Sequence, residues 1–147
     1  MRSLRILLVE DNPDHAMLVE RSIAESEGAA QVTVVTDGEE ALSYLRRKGA
    51  WSGPAERRRP HLILLDLRLP RLDGFHVLRT IKDSPELRAI PVVVLTTSEA
   101  TSDVSKAYEL HANSYLVKPV DFDRFVALMR DVESYWLGWN QGRQDGP

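Results

Sequence analysis

The sequence predicts an α/β protein with a doubly wound parallel sheet of five strands and five helices. Three short apolar runs without polar alternation support this prediction: residues 6–9, 62–65 and 92–95. Continuous apolar runs of this length are typical of strands that are buried on both faces, as in parallel sheets. Because such runs alternate with stretches of helical periodicity, we expect parallel strands in one sheet with helices on both of its faces.

Ten elements follow one another along the chain. Besides the three runs above, residues 31–36 and 114–117 are weaker strand candidates of the same kind. The predicted helices cover residues 14–27, 38–48, 74–82 and 102–111, and a fifth begins at Asp121. In each helix, apolar side chains recur near helical spacing: Met17, Leu18 and Ile23; Ala41, Leu42 and Leu45; Val77, Leu78 and Ile81; Val104, Ala107, Tyr108 and Leu110; Phe122, Phe125, Val126, Met129 and Val132.

Composition excludes several classes of protein. The 147 residues carry 19 Lys and Arg against 22 Asp and Glu, a net charge of −3, whereas nucleic-acid binders normally show a basic surplus. The absence of Cys excludes disulfides, Cys-ligated zinc and a thiol nucleophile. No apolar run approaches the ~20 residues that cross a bilayer. We therefore expect a cytoplasmic protein with neither a membrane nor a nucleic acid as partner.

Polar residues with phosphate and metal chemistry stand where the predicted strands end. Glu10 and Asp11 follow the first strand and Asp66 follows the third, at the edge of the sheet where ligands bind in doubly wound folds. Three converging carboxylates repel one another unless a cation joins them, and Mg²⁺ prefers carboxylate ligands. Thr96 and Lys118 end the fourth and fifth strands and could donate to phosphate oxygens. Any one of these acidic residues could instead be a helix cap or a solvated loop residue.

Together these residues resemble the receiver domain of two-component response regulators. The resemblance rests on Glu10-Asp11, Asp66, Thr96 and Lys118-Pro119, with 30 residues from Asp66 to Thr96 and 22 from Thr96 to Lys118. Residues 66–74 resemble the loop after the phosphoacceptor of that family. The resemblance covers about residues 4–130 and implies a flavodoxin-like sheet of strand order 2-1-3-4-5. A longer loop before the third strand and an aromatic C-terminal extension are similar to the small stand-alone response regulators of bacterial and cyanobacterial phytochromes.

The resemblance also implies a role for each site residue. Asp66 matches the phosphoacceptor, and Lys118 matches the lysine that contacts the phosphoryl group. The carboxylates of Glu10, Asp11 and Asp66 and the backbone carbonyl of Arg68 match the Mg²⁺ ligands. Thr96 matches the switch hydroxyl, and Tyr115 matches the switch aromatic. The Lys118–Pro119 bond is expected to be cis, on the resemblance alone.

The expected function is that of a single-domain response regulator, with a receiver domain over residues 1–130 and a helical extension and tail over 131–147. It would accept phosphate from a sensor histidine kinase of phytochrome type, and signal by protein contact or onward phosphotransfer. It would not be an enzyme beyond assisting its own phosphotransfer and dephosphorylation. The alternative is a Mg²⁺-dependent phosphohydrolase, which usually needs a second Asp where Arg68 stands. A mononucleotide-binding module would need a glycine-rich first turn.

Three features depart from a minimal receiver. Thr97 follows the switch residue, at a position where smaller residues are common in the family. We expect its larger side chain to affect the phosphoryl lifetime. The segment 46–59 is basic, as a solvated insert or as a contact for an acidic partner. A helix from Asp121 to about residue 139 would span roughly 28 Å and overhang the sheet. Its apolar stripe predicts either a homodimer through this helix and its neighbours, or a helix that folds back over its own core or is partly frayed: Phe122, Phe125, Val126, Met129, Val132, Trp136 and Trp139. The resemblance implies that such a dimer uses the face of the fourth helix, fifth strand and fifth helix.

Overall fold

The computed structural model describes residues 4–25, 30–48 and 59–136. The elements in chain order are β1 (Leu4–Val9), α1 (Pro13–Ala24), β2 (Ala30–Val35), α2 (Gly38–Leu45), β3 (Leu62–Leu65), α3 (Gly74–Asp83), β4 (Val92–Thr96), α4 (Thr101–Glu109), β5 (Ser114–Val117) and α5 (Phe122–Ser134). All ten predicted elements are present. The helix α2 stops three residues before its predicted end, and Arg47 just beyond it has a φ of 55°, a left-handed conformation typical of a helix terminus.

The five strands form one parallel sheet in the order β2-β1-β3-β4-β5, as predicted. The register places Val9 of β1 beside Leu65 of β3, so the two strands end level with each other. Backbone bonds continue one residue further, from the Asp66 N–H to the Val9 carbonyl at 3.1 Å and from the Lys118 N–H to the Thr96 carbonyl at 2.7 Å. The residues that follow β1, β3 and β5 therefore emerge at one edge of the sheet.

Alternate side chains of each strand point into two separate cores. Leu7 and Val9 of β1 lie in a core with residues of α2, α3 and α4. Ile6 and Leu8 lie in the opposite core with residues of α1 and α5. The central strands are apolar on both faces because helices cover both of them, which explains the continuous apolar runs.

The C-terminal stripe is largely internal, contrary to the expectation that it is free for a partner. Phe125 and Met129 are each 2% exposed, and Val132 and Trp136 pack against the same core. The reason is that α5 packs against α1 and shares one core with it and with the sheet. Among the large apolar side chains of the described residues 122–136, only Phe122 and Tyr135 are exposed. Trp139 and most of the basic segment, residues 49–58, lie outside the described residues.

None of the helices within the described ranges is long and apolar enough to cross a membrane.

Candidate functional site

Three charged side chains meet in the interior at the edge of the sheet. Glu10, Asp66 and Lys118 are 1%, 7% and 5% exposed. The Lys118 Nζ donates to Glu10 Oε1 at 2.5 Å and to Asp66 Oδ2 at 3.0 Å. Buried charges are tolerated only when they are paired, and this lysine pairs with two carboxylates at once. When both carboxylates are ionised, the trio carries one negative charge in excess.

A third carboxylate, that of Asp11, adds to this negative charge. One oxygen each from Glu10, Asp11 and Asp66 can be chosen so that all three lie within 4.8 Å of one another. Asp11 is not the helix cap that one interpretation of the sequence allowed, because Asn12 caps α1 and its Oδ1 accepts from the Asp14 N–H at 2.9 Å. Such an all-oxygen, anionic donor set fits a hard divalent cation such as Mg²⁺.

The pKa of Glu10 also fits a site for a divalent cation. Burial raises the pKa of the Glu10 carboxyl to about 7, against the lowering effect of Lys118 and with a further raising effect of Asp66. With no cation bound, the Glu10 carboxyl would therefore be partly protonated near neutral pH. A cation in the site would favour the ionised carboxylate and displace that proton.

Arg68 lies two residues beyond the buried Asp66 and contacts it through its backbone. Its backbone N–H donates to Asp66 Oδ1 at 3.1 Å. Its side chain turns outward, where its guanidinium pairs with Asp103 of α4 at 3.2 Å. This places the backbone of Arg68 near the acid cluster while its charge joins the loop after β3 to the first turn of α4.

The two predicted switch residues converge on the loop after β4. Thr96 is fully buried, and its Oγ1 accepts from the Ser98 N–H at 3.5 Å. The Tyr115 hydroxyl donates to the Ser98 carbonyl at 2.9 Å, and the Ser98 hydroxyl donates to Asp103 at 2.6 Å. Thr97, between them, is exposed. Ser98 thus connects Thr96, Tyr115 and α4.

The expectation of a cis Lys118–Pro119 bond is wrong. No peptide bond among the described residues is cis, so Lys118–Pro119 is trans. Trans is the lower-energy form even before proline, and the expectation rested on resemblance alone.

Sequence reasoning missed His15, Ser98 and Asp103. The His15 Nδ1 lies 3.0 Å from the Lys118 Nζ. Its signal in the sequence was its place in the first helical turn after Asp11, close to the strand edge. The signal of Ser98 and Asp103 was similar, because both lie a short distance along the chain after the end of β4.

A groove of about 420 Å³ opens beside the acid cluster. It gives a second molecule access to the carboxyl edge of the sheet. It is lined by Asp11, Leu67, Arg68, Leu69, Pro70, Asp73 and Phe75.

A parallel sheet with clustered carboxylates and a buried lysine at its carboxyl edge fits the class of phosphate-handling domains, and sequence comparison specifies the family. The model of the response regulator receiver domain matches residues 6–130. The chain belongs to this family. It is a receiver-domain response regulator of two-component signalling, a family whose partners are histidine kinases.

Similar proteins cover almost the whole chain. The probable methanogenesis regulatory protein FilR2 of Methanothrix harundinacea is 47% identical over 142 residues, which are 97% of this chain and 88% of FilR2. Response regulator Rcp1 of Synechocystis is 42% identical over 132 residues, 90% of this chain and 88% of Rcp1. The Mn²⁺-bound structure of Rcp1 covers 96% of this chain and 99% of its own, with a TM-score of 0.90.

The phosphorylated cyanobacterial phytochrome response regulator RcpA gives a TM-score of 0.92 at 38% identity, covering 97% of this chain and 100% of its own. The chain is therefore homologous to phytochrome response regulators, and its five-stranded flavodoxin-like fold matches theirs. The phosphohydrolase alternative finds no support in these comparisons. The Mn²⁺-bound relative and the acid cluster together indicate a divalent metal site.

Proposed function

We propose that this protein accepts a phosphoryl group on Asp66 from a histidine kinase and passes the signal on by protein contact or onward phosphotransfer. One observation carries the proposal: the Asp66 Oδ2 lies 3.0 Å from the buried Lys118 Nζ, with oxygens of Glu10 and Asp11 in reach. A nucleophilic carboxylate, a fixed cation and a metal-ligand set are the parts that phosphoryl transfer requires.

In the proposed reaction, an Asp66 carboxylate oxygen attacks the phosphorus of a phosphohistidine. The O–P bond forms as the P–N bond breaks, and the bonding electrons stay with the imidazole, which takes up a proton. Lys118 offsets the charge on the phosphoryl oxygens. Dephosphorylation by water reverses the phosphorylated state, and we infer from the resemblance that the Thr97 side chain, which is exposed, hinders the approach of that water.

We assign the metal as Mg²⁺, held by the carboxylates of Glu10, Asp11 and Asp66 and by the backbone carbonyl of Arg68. When bound, Mg²⁺ supplies positive charge next to the phosphoryl oxygens. The support in this chain is the oxygen-only donor set and its excess of negative charge.

The proposed output is a packing change around β5. New phosphoryl oxygens attract the Thr96 hydroxyl, and Tyr115 moves toward the space that it leaves. The starting arrangement is supported by the bond between the Tyr115 hydroxyl and Ser98, which such a movement has to break.

We further propose a cytoplasmic receiver domain over residues 1–130, an extension over 131–147 whose first residues continue α5, and a phytochrome-type kinase as phosphodonor. The RcpA and Rcp1 likeness supports that kinase, while the name of FilR2 refers to a different process. The phosphodonor is tested by following label transfer from a purified phytochrome kinase in its two light states. A kinase that senses no light is the comparison. Equal transfer from both kinases would count against a phytochrome partner.

The acceptor is tested with Asp66→Asn. This variant should keep the wild-type fold by circular dichroism and lose the single phosphoryl group gained from acetyl phosphate, as measured by intact mass spectrometry. The matched control is Asp83→Asn, at the exposed last residue of α3, which should be phosphorylated like wild type. Full phosphorylation of Asp66→Asn would place the acceptor elsewhere.

A homodimer through α4, β5 and α5 is the last part of the proposal. Exposed apolar side chains of this region support it: Tyr108, Val117, Val120 and Phe122.

A further inference from the structure

The first turn of α1 places an imidazole against the buried lysine. The His15 Nδ1 is 3.0 Å from the Lys118 Nζ, and no role has been given to His15 in the proposed reaction. His15 is half-buried, so its ring lies at the border between the site and solvent.

The hydrogen bonds of Lys118 determine which group donates and which accepts in its contact with His15. A lysine ammonium has three protons to donate and no acceptor. Its three neighbours are Glu10 Oε1, Asp66 Oδ2 and His15 Nδ1, one for each proton. The imidazole must therefore accept at Nδ1 and carry its own proton on Nε2. Burial, and next the charge of Lys118, lower the pKa of His15, which favours this neutral form.

His15 is held at its backbone by the cap of α1 and at its ring by α5. The His15 backbone N–H donates to Asn12 Oδ1, at the capped start of α1. Its imidazole packs at 6.1 Å and 36° against the ring of Phe125, a buried residue of α5. These contacts fix the acceptor before any ligand arrives.

We propose that His15 is a positioning residue that holds the Lys118 ammonium in place during phosphoryl transfer. The inference rests on the proposed function of Asp66 and Lys118. Two of the three acceptors, Glu10 and Asp66, change their charge or bonding when the metal binds and the O–P bond forms. His15 is the neutral acceptor that takes part in neither event. It keeps one proton of the ammonium engaged, so the others stay aimed at the phosphoryl oxygens.

The test compares His15→Leu, which removes the acceptor, with His15→Asn, whose amide oxygen can replace Nδ1. We expect phosphorylation by acetyl phosphate at saturating Mg²⁺ to slow about tenfold in His15→Leu, the value of one hydrogen bond to a charged group. His15→Asn should stay within about threefold of wild type, and both variants should keep their Mg²⁺ affinity within about twofold. A wild-type rate in His15→Leu, equal losses in both variants, or a parallel loss of Mg²⁺ affinity would overturn the inference.

A double-variant cycle with Lys118→Ala separates positioning from a general structural effect. In the Lys118→Ala background, His15→Leu should cause no further slowing. A further tenfold loss there would show that His15 acts without Lys118 and would refute the inference. Asp66→Asn is run in parallel: if it is still phosphorylated, the proposed function fails, whereas an inert Asp66→Asn beside a wild-type rate in His15→Leu refutes only the role of His15.

Discussion

Burial of Glu10 makes the stability of the protein depend on pH. The pKa of Glu10 is raised from 4.5 to about 7 by burial in the folded protein. Between these values the folded state binds more protons than the unfolded state, so this group makes stability fall as pH rises. In Glu10→Gln that contribution is absent.

We therefore predict that wild type loses stability relative to Glu10→Gln as the pH rises from about 5 to about 8. The free energies of unfolding are measured by urea unfolding in EDTA. Excess Mg²⁺ should reverse this trend for wild type because it favours the ionised carboxylate. A difference that does not vary with pH would mean that Glu10 titrates normally.

Asp11 differs from Glu10 because it is exposed. Asp11→Ala should weaken Mg²⁺ binding by at least about tenfold, since it removes one of three carboxylate ligands. Its melting temperature in EDTA should be unchanged or higher, because one charge repelled by Glu10 and Asp66 is gone. Calorimetric Mg²⁺ titration and thermal unfolding check the two effects. An Mg²⁺ affinity equal to that of wild type would remove Asp11 from the ligand set.

At the scale of elements, α3 begins against the loop that bears the acceptor. A Cβ on Gly74 would overlap the Asp66 carbonyl oxygen and come within 2.6 Å of the Leu67 Cα. Both are backbone atoms, so a side chain here forces the loop to move. The Gly74 N–H also donates to the Leu67 carbonyl at 3.0 Å, which ties α3 to the same loop.

Gly74→Ala should therefore lose about 1–3 kcal/mol of stability, the usual cost of forcing an extra group into a packed site. It should also slow phosphorylation, because Asp66 shifts with its backbone. Urea unfolding and acetyl phosphate kinetics measure the two effects. Arg79→Ala, at an exposed position of the same helix, is the control and should change neither. Unchanged kinetics in Gly74→Ala would mean that the loop adapts without displacing Asp66.

The sequence was sufficient to predict elements whose signal is local. The runs at 62–65 and 92–95 are strands because both of their faces are covered, and their apolar composition records that burial. The convergence of Glu10, Asp66 and Lys118 followed from the rule that parallel strands end at one edge.

What could not be predicted depends on contacts between distant segments. The distance between His15 and Lys118, 103 residues apart, is set by how α1 packs on α5. Similarly, the apolar stripe of α5 was assigned to a partner molecule because periodicity marks a buried face without identifying what buries it. Here α1 and the sheet cover Phe125 and Met129.

At the scale of the whole molecule, exposed apolar side chains on two helices bear on self-association. Tyr108 of α4 and Phe122 of α5 are 49% and 58% exposed. If they lie in a dimer interface, Tyr108→Ser combined with Phe122→Ser should convert a dimer into a monomer of about 16.6 kDa in sedimentation at micromolar concentration.

Met17→Ser is the control, since Met17 is 53% exposed on α1, outside the proposed interface. This variant should sediment like wild type. A wild-type protein that is monomeric both before and after phosphorylation would exclude the dimer.

The central place of β1 in the sheet has a consequence for biosynthesis. β1 leaves the ribosome before the other four strands of the sheet, and β2 can cover one of its edges soon afterwards. The other edge waits for β3, which is complete only at Leu65. At ordinary translation rates this delay is on the order of 3–10 s, during which an apolar strand offers an open edge to other nascent chains. Every residue inserted between α2 and β3 lengthens that interval, so changes there will alter the yield of native protein before they alter its final stability.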